Sequence, residues 1–368
     1  MNLTQLKKMN RWRDGFNPLR GLTMMQAVAL LEAGERGEYA NLQWLFRAVE
    51  RRNATLRAVK ARRLSAVMRL DWSVEEIKIE TSPTPNSEIS NLKFEMPSLA
   101  ARQAEALRAA YERIDNLREA VGFLALAEFR GYAHLEFHRG GDGGVAHFEP
   151  VPQWLLFRQG LNGPWQYNAE ARSGAAREDD PVLDLNDFLV REVEDPINEI
   201  AVISHLRQSL SQKDWDGFVE TYGIPPLFIE LPPNVPADKE ALYQAQAEAV
   251  IGDSRGTMPN GAKVQTVTPY SGGTTPFSEH IRYQDECIVL AGTGGKLTML
   301  AQSGSGTLAG GAHENTFDEI AASEALEISE VFQKQFDARI LAEKFPGAPV
   351  RAFFQLAPKK EKPADVAA

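Results

Sequence analysis

Apolar residues recur at the spacing of a helix, every three or four positions, in several long stretches of the chain. In the stretch Thr23–Leu70 this spacing predicts two helices. Thr23 is placed to cap the first of them, which Gly34 and Gly37 would end. The second carries an apolar stripe through a strongly basic segment. Long helices are also predicted over Ser98–Ala127, Pro196–Phe218, Phe277–Leu290 and Glu314–Glu343.

In other parts of the chain the pattern has a period of two residues, which predicts strands. Tyr132–His138 alternates in this way, and Gly140–Gly144 then predicts a hairpin turn. Short strands are also expected over Asp71–Ile79, Phe148–Phe157, Pro164–Asn168, Leu227–Leu231 and Ala262–Thr268. A helix over Lys239–Val250 separates the last two strands. The mixture predicts an α+β fold.

The most unusual stretch is Gly292–Gly311, which holds seven glycines and the single charge of Lys296. It lies between two predicted helices, and long loops of this kind tend to carry function or to be disordered. A phosphate-binding loop would need serine or threonine directly after the lysine, but Leu297 stands there. A dinucleotide fingerprint at Gly304–Ala309 would need a preceding strand. A plain linker stays open as the alternative.

Composition is ordinary for a globular chain of 368 residues, with 43% hydrophobic and 24% charged positions. The length suggests two or three domains. No run approaches the ~18 apolar residues of a membrane-spanning helix, so we expect no membrane partner. The first residues lack the apolar core of a secretory signal. The single Cys287 excludes an intramolecular disulfide and favours a reducing compartment.

The net charge of −10 argues against a general attraction to nucleic acid. The charges are unevenly distributed, however. Residues 47–69 carry eight bases and one acid, residues 178–199 carry nine acids and one base, and residues 314–330 carry six acids. Each segment is most simply a solvated face, but their separation also permits head-to-tail contact between copies. The interface residues expected on this basis are Arg51, Arg52, Arg57, Glu178, Asp179 and Asp180.

Candidates for catalysis or metal binding are weak. His134, Glu136 and His138 share one face of a predicted strand and could bind a metal ion, but alternation equally puts them on a solvent-facing side. Cys287 lies in a helical stretch, where a buried structural thiol is expected. The carboxylates at 178–180 are a weak signal for a metal-dependent nuclease. No nucleophile has a positioned base and acid, so we expect no catalytic residue, metal or cofactor.

Four segments follow one another over about residues 20–345 in an order that is informative as a set. They are Thr23–Trp72, which ends in Arg-Leu-Asp-Trp; Phe218-Val-Glu-Thr-Tyr-Gly-Ile-Pro-Pro; Thr274-Thr-Pro-Phe-Ser-Glu-His-Ile; and Gly295-Lys-Leu-Thr with the following glycines and His313. In this order they resemble the portal proteins of tailed bacteriophages, specifically those of Mu-like phages.

The resemblance implies a ring of twelve subunits around a channel at one capsid vertex. It also implies a portal-protein fold with an α/β wing, long stem helices, a small β-α-β clip and a glycine-rich tunnel loop. Carried onto this sequence, these parts are the wing at 1–194, stem helices at 195–222 and 276–291, the clip at 223–275, the tunnel loop at 292–312, a long helix returning to the wing at 313–345, and a C-terminal segment at 346–368. Relatives usually continue into a helical crown, which would here be short or missing.

The same resemblance implies a role in packaging and ejecting DNA from the virion, after assembly in the host cytoplasm. The implied partners are double-stranded DNA bound without regard to sequence, the terminase large subunit, the head–tail connector, the major capsid protein and the scaffold. The clip residues expected to dock partners are Leu227, Ile229, Lys239 and Val264. The loop residues expected to face DNA are Gly292, Gly294, Gly295, Lys296, Thr298, Gln302, Ser303, Gly304, Ser305, Gly306, Thr307 and Gly310.

Two alternatives stay open at this point. One is a metal-dependent nuclease or other hydrolase that uses the acidic cluster and the histidine-bearing strand. The other is a monomeric adaptor or scaffold module. Particle mass would separate a ring from a monomer.

Overall fold

The computed structural model describes residues 18–77, 98–160, 162–167, 182–222, 227–230, 263–266, 276–295 and 307–358, together with residues 236, 239, 241 and 245. Its helices are α1 (Met24–Glu35), α2 (Tyr39–Arg52), α3 (Ala54–Met68), α4 (Leu99–Tyr111), α5 (Leu117–Ala125), α6 (Ala127–Arg130), α7 (Ile197–Tyr222), α8 (Pro276–Thr293), α9 (Thr307–Phe332) and α10 (Ala338–Lys344). Its strands are β1 (Asp71–Glu76), β2 (Tyr132–Arg139), β3 (Val145–Val151), β4 (Leu156–Phe157), β5 (Gln166–Tyr167), β6 (Phe188–Glu192), β7 (Leu227–Glu230), β8 (Lys263–Thr266) and β9 (Ala352–Ala357). A π-helical turn, Gln333–Asp337, joins α9 to α10.

The chain divides into two compact units. The larger contains Met1–Ser204 and Glu286–Ala368, and the smaller contains His205–Asp285. One boundary lies inside α7 and the other inside α8. The chain therefore passes from one unit to the other within helices.

The central sheet of the larger unit has the strand order β3-β2-β6, and both pairings are antiparallel. Leu135 lies opposite Leu189, and Phe137 lies opposite Phe148. All four side chains are buried. The ring of Phe336 lies 5.8 Å from that of Phe137 and 5.4 Å from that of Phe148. Helical residues therefore cover one face of this sheet and form the main hydrophobic core with it.

A second sheet joins the two ends of the larger unit, because β1 pairs antiparallel with β9. Val74 lies opposite Phe354, whose buried ring stacks on Tyr111 at 4.5 Å and lies 4.7 Å from Phe332. No strand is predicted in the C-terminal segment 346–368, but residues 352–357 form β9, which contributes buried side chains to the core of the larger unit.

The sequence predicts two helices between Thr23 and Leu70, whereas the structure has three. Thr23 and Gln26 form the expected capping box at the start of α1. Asn53 has extended backbone angles and accepts a hydrogen bond from the Leu56 amide at 2.8 Å, so it ends α2 and caps α3. The apolar stripe continues across this break, which is why periodicity alone does not reveal it.

The single helix predicted over Ser98–Ala127 is also divided. Ser98 caps α4 by accepting a hydrogen bond from the Ala101 amide at 3.1 Å. Asn116 lies in the break before α5, where it accepts from the Phe148 amide at 3.0 Å and donates to the Phe148 carbonyl at 2.7 Å. These two bonds tie the break to β3. The predicted hairpin at Gly140–Gly144 is confirmed, with Gly143 at φ +81°.

The helices predicted on either side of the glycine-rich stretch are present as α8 and α9. Helix α9 begins at Thr307, so residues 307–312 are helical and not part of a loop. Its two early glycines each cost about 1 kcal/mol of helix stability. Burial of later residues such as Phe317 and Ala325 outweighs this cost.

In the smaller unit, β7 and β8 pair antiparallel, with Leu227 opposite Thr266 and Ile229 opposite Val264. The two predicted strands therefore pair within one chain. Of the helix predicted between them, Lys239 is helical, as are two alanines at positions 241 and 245.

The parts of α7 and α8 that belong to the smaller unit contact each other. Gln208 donates a hydrogen bond to Asp285 at 2.7 Å, and the rings of Phe218 and Phe277 lie 5.9 Å apart. No helix in the described parts of the chain is both long enough and apolar enough to cross a membrane.

Candidate functional site

The described residues at the start of the glycine-rich stretch form a well-packed helix end. The Thr293 hydroxyl lies within hydrogen-bond distance of the carbonyl oxygens of Val289, at 2.8 Å, and Gly295, at 2.9 Å. The Gly294 amide donates to the Leu290 carbonyl at 3.0 Å. Gly294 adopts φ +67°, a left-handed conformation that glycine takes at low cost and that commonly ends helices.

Two glycines at this helix end are required by close packing. A Cβ atom on Gly292 would lie 2.2 Å from Cγ1 of Val59, and one on Gly294 would lie 2.9 Å from Cδ1 of Ile320. Gly294 is exposed, whereas Gly292 and Gly295 are buried within the single chain. That these three glycines face DNA in a ring stays a prediction.

Of the other loop residues predicted to face DNA, two lie in a helix and the rest lie outside the described residues. Thr307 and Gly310 lie in α9. The remainder lie outside the described residues: Lys296, Thr298, Gln302, Ser303, Gly304, Ser305 and Gly306.

Arg63, in the basic segment, holds the end of α8. Its Nη1 atom donates to the carbonyl oxygen of Gly292 at 3.3 Å. Its Nη2 atom lies 2.8 Å from Oε2 of Glu324 on α9 and 3.3 Å from Oε2 of Glu128. Because Arg63 and Glu324 are buried, this guanidinium joins α3, α8 and α9 inside the protein.

Arg191 on β6 extends the same cluster. It pairs with Glu128 at 2.5 Å and with Glu327 at 2.7 Å, and it donates to the Leu124 carbonyl at 3.1 Å. It also lies 3.5 Å from Glu324. Burial raises the pKa of Glu324, although Arg63 and Arg191 act in the opposite direction. We call these five side chains, Arg63, Arg191, Glu128, Glu324 and Glu327, the arginine–glutamate cluster.

A second buried charge holds the start of α7. Glu50 accepts two hydrogen bonds from Arg130, both at 2.8 Å, one from Lys60 at 2.5 Å, and one from Asn198 in the first turn of α7 at 2.8 Å. Burial alone would raise the pKa of Glu50, but the hydrogen bonds and charges of Arg130 and Lys60 outweigh it and lower the pKa to about 2. Glu50 is therefore ionised at neutral pH.

The structure separates the basic segment into two groups. Lys60 and Arg63 pair inside the chain, and Arg63 does so with Glu324 from the acidic stretch 314–330. Lys60, Arg63 and Glu324 therefore find their partners within one chain and are not available to pair with a neighbouring copy. The predicted interface residues Arg51, Arg52 and Arg57 are exposed around a shallow cavity of about 440 Å³. Residues 178–180 lie outside the described residues.

The histidine-bearing strand does not form a metal site in the structure. His134 is fully buried beside Trp165, with ring centroids 4.4 Å apart, and this burial lowers its pKa to about 3. His138 is exposed and lies 3.7 Å from Glu136. No group of three potential ligands occurs among the described residues. Cys287 is only partly buried, contrary to the expectation of a buried thiol.

Comparison with known sequences identifies one family. The profile of the family described as the portal protein of Mu bacteriophage matches residues 43–368. No curated protein sequence matches the chain.

Solved structures share the fold at low sequence identity. A chain in the neck of an empty gene transfer agent particle, computed with C6 symmetry, has a TM-score of 0.53 and 11% identity, over 90% of this chain and 84% of that chain. A chain in the neck of the native particle, computed with C12 symmetry, has a TM-score of 0.50 and 11% identity, over 91% and 85%. An HK97 family phage portal protein from Corynebacterium diphtheriae aligns with a TM-score of 0.40 and 11% identity, over 85% and 94%. The first two structures, with TM-scores of 0.53 and 0.50, share the fold of this chain.

Proposed function

Because the chain belongs to the family of portal proteins of Mu bacteriophage, we propose that it forms a ring of twelve copies around a DNA channel at one capsid vertex. Portal proteins are structural components of that vertex, and this chain is a structural protein and not an enzyme. In this proposal the protein is part of the virion and assembles in the host cytoplasm.

The two compact units suggest how the parts of a portal map onto the chain. The larger unit corresponds to the wing, and α7 and α8 correspond to the stem helices. Residues 223–275, with the β7–β8 pair, correspond to the clip. The tunnel loop corresponds to the stretch between α8 and α9, and α9 corresponds to the long helix that returns to the wing.

One observation carries this proposal furthest: both stem helices are held by buried charges at their wing ends. Glu50 contacts Asn198 at the start of α7, and Arg63 contacts Gly292 at the end of α8. Both charged residues come from the basic segment. A loop that contacts moving DNA must be held firmly at its base, since otherwise the force on it would displace the end of the helix.

The composition of the loop favours weak contact with DNA. Each phosphate neutralised by a fixed cation adds affinity that does not depend on sequence. Between Gly292 and Gly311 the only charge is that of Lys296, and the net charge of the chain is −10. A ring of such loops would touch the DNA backbone through small polar groups and let it slide.

The clip is the proposed docking site for the terminase large subunit during packaging and for the head–tail connector afterwards. The residues proposed for this contact are Leu227, Ile229, Lys239 and Val264. The major capsid protein and the scaffold are proposed to surround the wing.

Replacing Ile229 with Asp should block terminase docking while the wing still folds. Normal packaging by this variant would count against the clip assignment.

The decisive experiment on the loop compares glycines on the two sides of Thr307. We expect Gly304→Ala with Gly306→Ala to slow DNA packaging in a phage-head assay, because alanine disfavours the backbone angles that glycine reaches freely. Gly310→Ala lies inside α9 and should leave packaging unchanged. Lys296→Ala should have a milder effect than the double variant. Normal packaging by the double variant would mean that the loop is a linker.

The assembly is tested separately by particle mass. Light scattering and negative-stain images should show a ring of about twelve copies. A purified chain that stays monomeric at all concentrations would favour the adaptor interpretation.

A further inference from the structure

The larger unit contains a cavity of about 420 Å³ at the start of α2, which we call the acidic cleft. Its walls include three aromatic rings, those of Tyr39, Tyr132 and Trp165. The ring centroid of Tyr132 lies 4.8 Å from that of Tyr39 and 4.7 Å from that of Trp165. Tyr132 and Trp165 are buried, so the partly buried ring of Tyr39 is the one of the three that a cation in the cleft could reach.

Carboxylates surround these rings. Glu35, Glu194 and Glu199 line the cleft, are exposed, and make no ion pair within the described residues. Burial, followed by the charges of Glu35 and Asp195, raises the pKa of Glu199. Negative charge is therefore crowded at this cleft, and a positive partner would relieve the repulsion.

Two arginines of the same chain, Arg130 and Arg158, also line the cleft, and each is paired with a glutamate, Glu50 and Glu192 respectively. The guanidinium of Arg158 lies 3.8 Å from the ring centroid of Trp165 and pairs with Glu192. Trp165 Nε1 also donates to Glu192 at 2.9 Å. An indole face beside a carboxylate is a good environment for a planar guanidinium.

One buried hydrogen-bond acceptor at the cleft, the side-chain oxygen of Gln43, accepts no hydrogen bond within the described residues. Gln43 lines the cleft and is 1% exposed. Its Nε2 atom donates to the Arg130 carbonyl at 2.7 Å, whereas its Oε1 atom has no hydrogen-bond partner among the described residues. Buried acceptors without a partner are rare because each costs about 1–3 kcal/mol. A donor from a ligand would satisfy it.

The opposite end of the same helix carries the matching charge. Tyr39 begins α2 in the cleft, and Arg51 and Arg52 end it. Arg57 on α3 lies beside them, and all three arginines are exposed. A helix of 14 residues is about 20 Å long, so the arginines of a chain are too far away to enter its own cleft.

We propose that the acidic cleft of one subunit binds Arg51, Arg52 and Arg57 of the next subunit in the ring. This inference rests on the proposed ring assembly and names its interface. Opposite charges at the two ends of one helix make a head-to-tail contact, in which different surfaces of identical subunits meet, and such contacts close into rings. The three guanidinium groups would meet the carboxylates of Glu35, Glu194 and Glu199, as Arg158 meets that of Glu192.

The test is a charge exchange between two variants. The first carries Glu35→Arg, Glu194→Arg and Glu199→Arg, and the second carries Arg51→Glu, Arg52→Glu and Arg57→Glu. We expect each variant alone to show a ring fraction reduced by about tenfold or more, because three attractive pairs at every interface become repulsive. An equimolar mixture should form rings again, with the two variants alternating, because both kinds of contact become complementary. Native mass spectrometry reads the composition directly.

A matched control uses arginines elsewhere on the surface. Arg69, Arg108 and Arg118 are exposed, and their replacement by Glu changes the net charge equally. This variant should form rings like the unmodified chain. Rings from either test variant alone would overturn the proposal. So would folded monomers that fail to assemble on mixing. Rings from the second test variant alone, with none from the first, are the result expected if the occupant is instead the basic stretch of residues 1–17.

A cross-link covers the case in which a triple variant does not fold. In a Cys287→Ser background, Glu199→Cys with Arg52→Cys should give a ladder of covalent multimers with a bismaleimide. Each single cysteine should give no ladder. Intact rings without a ladder would show that the cleft does not bind these arginines, and the proposed ring would still stand. The absence of rings from the unmodified chain would instead overturn the proposed function.

Discussion

Arg63 donates a hydrogen bond from Nη1 to the carbonyl oxygen of Gly292, 3.3 Å away, at the carboxyl end of α8. The last carbonyl oxygens of a helix lack partners within the helix and carry partial negative charge, so a cation is favourable there. The same guanidinium pairs with the buried Glu324. One residue of the basic segment thus links the end of a stem helix to the core.

Replacing Arg63 with Met should destabilise the protein by about 3–5 kcal/mol, because Glu324 would then be left buried with weaker compensation. Urea unfolding of the isolated chain measures this change. Arg63→Met combined with Glu324→Gln should recover part of the loss. The control is Arg69→Met at an exposed site, which should change stability by less than about 0.5 kcal/mol. Equal effects at Arg63 and Arg69 would contradict the anchoring role.

Glu50 should make stability depend on pH in the acid range. Its folded pKa of about 2 lies below its ordinary value of 4.5, so its contribution is fully present above pH 4.5 and is lost as the pH falls towards 2. Glu50→Gln should therefore lower the free energy of unfolding by about 3 kcal/mol near pH 6, and by progressively less below pH 4.5. Urea unfolding at several pH values tests this. The control is Glu330→Gln at an exposed position, which should change stability by less than about 0.5 kcal/mol at pH 6.

Asp337 should act in the opposite direction. Burial raises its pKa to about 6, although Tyr111 and the Phe354 amide donate hydrogen bonds to it. The folded state favours the protonated acid, so this contribution is present below pH 3.8 and is lost as the pH rises through 6. The free energy of unfolding of the unmodified chain should fall by about 3 kcal/mol between pH 4 and 6 because of Asp337. In Asp337→Asn this fall should be absent. Parallel stability curves for the two proteins would show this expectation to be wrong.

Gly292→Ala should be destabilising despite the higher helix propensity of alanine. The added Cβ would lie 2.2 Å from Cγ1 of Val59, so helix α3 or α8 must shift. Val59→Ala in the same chain should relieve the clash, giving a positive coupling in a double-mutant cycle.

Gly217→Ala provides the matched control for this substitution. It lies in α7 with no atom within 4 Å of the added Cβ, and it should stabilise the helix by up to about 1 kcal/mol. Thermal unfolding of the three single variants and the double variant gives all the terms. A neutral Gly292→Ala would mean that the contact with Val59 is loose in solution.

Local patterns in the sequence determined most of the elements of this protein. Helices α7 and α8, the strands β7 and β8 and the hairpin after β2 follow from apolar spacing and from turn residues close together in the chain. The ordered segments also identified the portal family. These features are readable because a helix or a turn depends on residues within a few positions of each other.

Only the tertiary structure decided what joins these elements. Arg63 and Glu324 are 261 positions apart, and β1 pairs with β9 from the far end of the chain. The sequence showed Arg63 as one of eight bases in a solvated stretch and His134 as a strand residue facing solvent or a metal ion. Both are buried, because covering elements far away in sequence exclude water from them. Periodicity records which face of an element is apolar, but burial of a charge depends on which distant residue compensates it.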